Sequence, residues 1–114
     1  MDNLSPERRK RIERAKSQYG KPYVWGAVGP DSFDCSGFVS YCLSGENIRL
    51  GTTYTFLTWP HTTNPQPGDI CVNEAHCGLY VGDGKMIHCS TVNGVDGVQD
   101  GTVQSGMVYV TYNN

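Results

Sequence analysis

One cysteine and two histidines are the residues of this chain whose types and spacing best suit catalysis. Cys35 lies in the run Asp34-Cys35-Ser36 at the start of an apolar segment, and His76 and His88 follow in sequence typical of strands. A thiol at a helix start together with two imidazoles is the minimum set for acyl transfer by a cysteine nucleophile. We therefore predict Cys35 as nucleophile, His76 as base and His88 as the group that orients His76.

The segment that carries the two histidines is predicted to form a β-hairpin. A three-residue loop at 82–84 pairs Gly78 with His88 and places His76 and His88 on one face as diagonal neighbours, roughly 7 Å apart. A two-residue turn would instead pair Leu79 with His88 and send that histidine to the opposite face. The first register is required for the predicted catalytic group.

The other cysteines are predicted to be structural. The first register sets Cys77 opposite Cys89 on the face away from the histidines, as buried thiols or as a cross-strand disulfide, and we favour thiols. Cys42 and Cys71 lie in apolar segments typical of a core. The spacing between Cys71 and Cys77 does not fit the pairs found in structural zinc sites, so we expect no metal and no cofactor.

The pattern along the chain predicts helices first and strands second. Helices are expected over residues 6–19 and 36–44, ended by Gly20 and Gly45, with a short helical turn near 54–57. Four short strands are expected, over residues 70–72, 76–81, 85–89 and 107–112. This order indicates an α+β fold in which N-terminal helices pack on a small antiparallel sheet.

Length and charge limit the class of protein. A chain of 114 residues suits one compact domain, so we expect residues 1–114 to form a single catalytic domain. No segment approaches the roughly 20 apolar residues of a membrane span, and the N-terminus lacks an apolar signal segment. Seven of the nine Lys and Arg lie in residues 1–21. Without a wider basic stripe or interleaved aromatic residues, nucleic-acid binding is not expected.

Five motifs taken together resemble the NlpC/p60 family of papain-like cell-wall hydrolases. They are, in chain order, Pro22-Tyr23-Val24-Trp25-Gly26, Phe33-Asp34-Cys35-Ser36-Gly37-Phe38-Val39, Gln66-Pro67-Gly68-Asp69-Ile70, His76-Cys77-Gly78-Leu79-Tyr80-Val81-Gly82 and Met86-Ile87-His88. The resemblance implies a papain-like fold and hydrolysis of peptidoglycan stem peptides through a thioester, usually between D-glutamate and the following diamino acid.

The resemblance also assigns roles to individual residues. By position, the nucleophile, the base and the polar third member match Cys35, His76 and His88. Tyr23 matches a tyrosine that supports the nucleophile or the oxyanion, a task shared with the backbone amide of Cys35. Asp34 and Ser36 match residues that line the stem-peptide pocket. Many members carry Arg followed closely by Ser or Thr, whereas Arg49 here is followed by Leu-Gly-Thr-Thr, so the spacing is disturbed.

Several functions remain open at this stage. The first is a γ-D-glutamyl-diamino acid endopeptidase, and the second is an N-acetylmuramoyl-L-alanine amidase, because residues 29–36 and 87–89 also resemble phage lysins. An inactive wall-binding module and an acyl transferase are further alternatives. We expect a monomer that acts on the cell wall, whose basic first helix makes weak contact with anionic wall polymers. Without a signal peptide, it would arrive by phage-type release, by non-standard export or as part of a larger protein.

Overall fold

A computed structural model describes residues 4–91 and 96–112 of the chain. The helices are α1 (Pro6–Lys16), α2 (Cys35–Ser44) and α3 (Thr53–Phe56). The strands are β1 (His61–Thr62), β2 (Ile70–Val72), β3 (Cys77–Gly82), β4 (Lys85–Ser90), β5 (Gly97–Thr102) and β6 (Val108–Val110). They form one sheet in the order β1-β6-β2-β3-β4-β5, and every pairing is antiparallel. The predicted α+β class is therefore confirmed.

The helices begin where the sequence predicts, but the first is shorter. Ser5 caps α1 by accepting a hydrogen bond from the backbone of Arg8, and the helix ends at Lys16 rather than at residue 19. Tyr19 consequently leaves the helix, and its hydroxyl donates to Asp100 at 2.6 Å. The second helix ends at Gly45, whose φ of 75° is the left-handed cap expected of glycine.

All four predicted strands are present, and two more were missed. Strand β6 is shorter than predicted, and the missed strands are β1 and β5. The sequence of β5, Gly-Val-Gln-Asp-Gly-Thr, has neither the apolar alternation nor the β-branched content that indicates a strand. It forms because its backbone pairs with β4 along six residues.

The β3–β4 hairpin adopts the register that brings the histidines together. Leu79 lies opposite Ile87, as predicted, but next to the turn Gly82 pairs with Lys85, as in the alternative register. A bulge just before Gly82 restores the predicted pairing along the rest of the hairpin. Both residues of the turn have a positive φ, Asp83 at 55° and Gly84 at 72°.

The hydrophobic core lies between the helices and one face of the sheet. Side chains from α1, α2 and alternate strand positions form it, including Ile12, Phe38, Val39, Cys42, Ile70, Cys77, Leu79, Ile87, Cys89 and Val110. A smaller cluster on the opposite face contains Cys71, Tyr80 and Met86. The alternation expected for strands therefore sorts the cysteines, with Cys77 and Cys89 toward the helices and Cys71 away from them.

Three arginines of α1 hold that helix to the rest of the molecule. Arg8 pairs with Asp69 at 2.9 Å, Arg11 donates to a backbone carbonyl at 3.2 Å, and Arg14 donates to another at 3.1 Å near the end of α2. Some of the basic residues of α1 therefore stabilise the fold, and not all of them form a solvated helix face. Within residues 4–91 and 96–112, no helix is long and apolar enough to cross a membrane.

Candidate active site

The candidate nucleophile is the first residue of α2. Asp34 is the N-cap: its backbone is extended, and its Oδ1 accepts a hydrogen bond from the amide of Gly37 at 2.6 Å. Cys35 is half-buried, in contrast to the four other cysteines, which are buried. A helix start favours negative charge, so this position favours a thiolate.

Two glycines make room for the site. A Cβ at Gly37 would lie 2.2 Å from the backbone oxygen of Ala27, so only glycine lets the 24–27 segment pack against the first turn of α2. A Cβ at Gly78 would lie 2.7 Å from Met86 Sδ and 3.0 Å from His88 Cβ. The positions of Met86 and His88 depend on that absent side chain.

The two histidines are in direct contact, as the hairpin register predicts. His76 Nε2 lies 2.7 Å from His88 Nδ1, and the two rings meet edge to face with centroids 5.0 Å apart. The backbone amide of His76 donates to the side chain of Asn73 at 2.8 Å, which fixes the chain just before β3. Because Nε2 of His76 faces His88, Nδ1 is the ring atom left for Cys35.

The thiol of Cys35 interacts with both Cys77 and His76. Hydrogen bonding with Cys77, followed by hydrogen bonding with His76 and the charge of that ring, lowers the pKa of Cys35 to about 5, against the opposing effects of burial and of Asp34. Cys77 was predicted to be a structural thiol on the face away from the histidines, and its interaction with Cys35 was not predicted. The face of the sheet turned away from the histidine pair is the face that meets α2, so Cys77 lies against Cys35.

His88 is a neutral partner for His76. Its side chain is 2% exposed, and burial together with the neighbouring His76 lowers its pKa to about 4. When Nε2 of His76 carries the proton of this hydrogen bond, Nδ1 of the neutral His88 accepts it. The single ring proton of His88 is then on Nε2. Within the described part of the chain, Nε2 has no hydrogen-bond partner. This cost is tolerated in exchange for a fixed orientation of His76.

The lowered pKa of Cys35 predicts an unusual pH dependence of its alkylation. Only the thiolate reacts with iodoacetamide, so the rate should stay near its maximum at neutral pH and fall as the pH drops through about 5. Stopped-time alkylation read by mass spectrometry measures this profile, with Cys35→Ala as the background control. A midpoint near the ordinary thiol value of about 8.5 would contradict the prediction.

Cys35 opens onto a cleft of about 530 Å³. Its lining combines aromatic, charged and hydroxyl side chains, namely Tyr23, Trp25, Asp34, Ser36, Arg49, Thr52, Thr53, Tyr54 and Glu74. Trp25 and Tyr54 are 86% and 65% exposed and stand at its rim. A second cleft of about 550 Å³ between α1 and β5 contains none of the candidate catalytic residues, so the chemistry points to the first.

Arg49 joins the other charged and polar residues of the cleft into one network. Its guanidinium lies 2.9 Å from Asp34 Oδ2 and donates to Ser36 Oγ at 2.6 Å. Asp34 Oδ2 also accepts from the amide of Gly26 at 3.0 Å. The spacing around Arg49 departs from the family pattern, so the sequence did not predict Arg49 as a pocket residue. Its side chain nevertheless reaches Asp34 and Ser36, the two predicted pocket residues. The available signal was a single arginine in the segment after the nucleophile.

Tyr23 lines the same cleft as Cys35. Burial, followed by the negative charge on Cys35 and on Asp34, raises the pKa of its hydroxyl. The tyrosine therefore remains protonated and can donate a hydrogen bond. A short pairing of its backbone with Phe33 ties it to the residues that precede α2.

A thiol at a helix start, bonded to a histidine that a second histidine holds, is the arrangement that catalysis by a cysteine nucleophile requires. Residues 20–113 match the model of the NlpC/P60 family, and the chain belongs to that family. A probable endopeptidase p60 of Listeria grayi is 42% identical over 90 residues, which are 71% of this chain and 17% of the relative. The chain thus spans less than a fifth of that relative's length.

Solved structures show the same fold. The peptidoglycan hydrolase RipB of Mycobacterium tuberculosis superposes with a TM-score of 0.75 at 24% identity, over 97% of this chain and 69% of that one. RipD of the same organism, described as a non-catalytic NlpC/p60 protein adapted to peptidoglycan binding, superposes with a TM-score of 0.76 at 23% identity, over 96% and 98% of the two chains. The fold alone therefore does not separate hydrolases from binding proteins.

Proposed function

We propose that residues 1–114 form a catalytic domain that hydrolyses peptidoglycan stem peptides through a thioester on Cys35, at the bond between D-glutamate and the diamino acid. The observation that carries this proposal is the chain of interactions from Cys35, which lines the cleft, through His76 to His88. Membership of a family of wall hydrolases supports the substrate class.

The proposed reaction begins at the thiol. His76 takes or already holds the proton of Cys35, and the thiolate attacks the amide carbonyl carbon. The backbone amide of Cys35 and the hydroxyl of Tyr23 donate to the resulting oxyanion. The His76 imidazolium then protonates the leaving amine, the C–N bond breaks and a thioester remains. Water activated by His76 hydrolyses the thioester and restores the thiol.

His88 acts on the base rather than on the substrate. Its neutral ring accepts a hydrogen bond from His76 Nε2, so that His76 presents Nδ1 to the thiol with a fixed tautomer. Because the pKa of His88 is lowered to about 4, His88 does not compete with His76 for a proton at neutral pH. In this role an amide oxygen at the same place would serve nearly as well.

The charged network in the cleft favours the endopeptidase over the amidase. A γ-linked D-glutamate carries a free α-carboxylate on the same residue that supplies the scissile carbonyl, whereas neither the lactyl group nor the L-alanine of N-acetylmuramoyl-L-alanine carries a free carboxylate in the intact stem. Arg49 uses two hydrogen bonds on Asp34 and Ser36, and guanidinium has five N–H donors. We propose that the remaining donors of Arg49 bind this carboxylate.

Removal of the Arg49 charge should weaken substrate binding more than chemistry. A charge-assisted hydrogen bond contributes about 1.5–3 kcal/mol, so Arg49→Gln should lower kcat/KM on a stem peptide by roughly tenfold to a hundredfold, mainly through KM. Arg49→Lys keeps the positive charge but lacks the planar guanidinium, so its kcat/KM should lie between those of wild type and Arg49→Gln. Steady-state kinetics on synthetic peptides measures the effect, and an unchanged KM would contradict this role.

Mass spectrometry of digested muropeptides tests the proposed bond directly. New free amino termini on the diamino acid support the endopeptidase. Released lactyl carboxyl groups, with free amino termini on L-alanine, would support the amidase instead. Binding to purified walls without any product would support a non-catalytic module like that described for RipD.

We also propose that α1 makes weak contact with anionic wall polymers while the enzyme acts at the cell wall. Arg8, Arg11 and Arg14 are engaged within the fold, so the contact would fall to the outward-facing Lys10 and Lys16. Replacing both lysines with glutamine should weaken sedimentation with walls at low salt, and unchanged salt dependence would refute the contact.

A further inference from the structure

A second thiol lies directly beside the candidate nucleophile. Cys77, the first residue of β3, is fully buried in the core cluster against which Cys35 packs. Cys35 and Cys77 lie where α2 packs on β3, close enough for each thiol to shift the pKa of the other. The proposed hydrolysis assigns Cys77 no bond-breaking step. The thiol of Cys77 is therefore a reactive group beside the nucleophile that has no role in the proposed hydrolysis.

The two thiols differ in the way that redox-responsive pairs do. Cys35 is half-buried on an open cleft, and its pKa is lowered to about 5, so it is a thiolate at neutral pH and accessible to small oxidants. Burial raises the pKa of Cys77 well above its ordinary value, so Cys77 stays protonated. An accessible thiolate next to a second thiol is the arrangement in which the second thiol captures an oxidised first one.

We propose that Cys35 and Cys77 form a reversible modification site for hydroperoxides, in which Cys77 captures the oxidised Cys35 as an internal disulfide. The disulfide blocks the nucleophile and protects it from irreversible oxidation. A dithiol reductant reopens it. The proposal depends on the two neighbouring thiols and is independent of which amide the enzyme cleaves.

The chemistry balances in two steps. The Cys35 thiolate attacks one oxygen of hydrogen peroxide, the O–O bond breaks, and the departing hydroxide takes a proton to become water while Cys35 becomes a sulfenic acid. The sulfur of Cys77 then attacks the sulfur of Cys35, the S–O bond breaks, and hydroxide leaves with the Cys77 proton as water. The pair loses two electrons, and the peroxide gains them.

The other cysteines are less suited to capture Cys35. Cys89 shares the helix-facing side of the sheet, but its thiol donates to the backbone oxygen of Phe33 at 3.2 Å. Cys71 belongs to the cluster on the opposite face. Cys42 is fully buried on α2, one of the helices that pack on the sheet. Cys89→Ala is therefore the matched control, since it removes a neighbouring buried thiol from the same face and leaves both members of the proposed pair in place.

The test follows thiols rather than wall hydrolysis. The reduced 114-residue chain is treated with stoichiometric hydrogen peroxide, blocked with N-ethylmaleimide and digested without reduction for peptide mass mapping. Wild type and Cys89→Ala should lose two alkylatable thiols, yield a peptide linking Cys35 to Cys77, and recover both thiols with dithiothreitol. Cys77→Ala and Cys77→Val should instead give dimedone-reactive Cys35 that proceeds to sulfinic acid and does not recover.

Three outcomes would overturn the proposal. One is oxidation of wild-type Cys35 to sulfinic acid without a disulfide. Another is a linkage of Cys35 to Cys89, or of Cys77 to Cys89. The third is equal recovery in wild type and in a Cys77→Val variant whose far-ultraviolet circular dichroism shows it to be folded. Because thiol oxidation is read from peptide masses and not from wall hydrolysis, failure here leaves the wall-hydrolase proposal intact, and failure of wall hydrolysis leaves this result interpretable.

Discussion

Replacing Cys35 with alanine is expected to reduce the release of new amino termini from purified walls by at least about a thousandfold, to the level of a buffer blank. The proposed pathway has no other nucleophile. The four remaining cysteines are buried, their pKa values are raised, and none of them lines the cleft. The measurement is mass spectrometry of soluble muropeptides after equal times of digestion. Cys35→Ser, which keeps the size of the side chain, should be nearly as inactive.

The control for this experiment is a variant that removes a thiol elsewhere. Cys71→Ser changes a buried thiol on the opposite face of the sheet and should retain most of the activity if it folds. Thermal unfolding of each variant shows whether a loss of activity reflects a loss of structure. Wall lysis by a folded Cys35→Ala protein at the wild-type rate would refute catalysis by this cysteine.

Replacing His76 with glutamine is expected to have the second largest effect, a fall in kcat of about a hundredfold to ten-thousandfold. Glutamine can still bond to His88 but cannot take the proton from Cys35 or deliver one to the leaving amine. The drop should appear in kcat with KM little changed, since His76 is absent from the residues that line the cleft. Steady-state kinetics on a synthetic stem peptide gives both constants.

A pair of variants at His88 separates its role from that of His76. His88→Asn supplies an amide oxygen near the place of Nδ1 and should retain far more activity than His88→Ala, which leaves His76 without an acceptor. Equal activity in the two His88 variants would argue against orientation of His76 by a hydrogen bond. Activity of His76→Gln close to wild type would refute His76 as the base.

The sequence predicts the hairpin well because its local chemistry is strong. Glycines at the turn and alternating apolar residues favour one register, and the observed pairing of Leu79 with Ile87 follows it. The actual turn is shorter than predicted, and a bulge compensates for the difference. The local sequence does not indicate a bulge of this kind, which becomes evident only from the strand pairing in the structure.

Other features depend on contacts between distant segments, which local patterns do not encode. Strand β5 is polar and glycine-rich and exists because β4 offers it a backbone edge. Arg49 reaches Asp34 because the loop after α2 returns to the helix start, whatever the spacing of its neighbours. The contact of Cys77 with Cys35 required knowing which face of the sheet the helix covers, and strand alternation by itself leaves that open.

Asp34 limits how this cleft can change in evolution or by design. One carboxylate caps the helix that carries Cys35, accepts a hydrogen bond from the amide of Gly26 and pairs with Arg49. A substitution that retunes the charge of the cleft at this position would therefore also displace the helix start and the reacting thiol. New substrate preferences in this scaffold should arise at Thr52, Tyr54 or Glu74, which line the cleft without capping α2, while position 34 keeps its carboxylate.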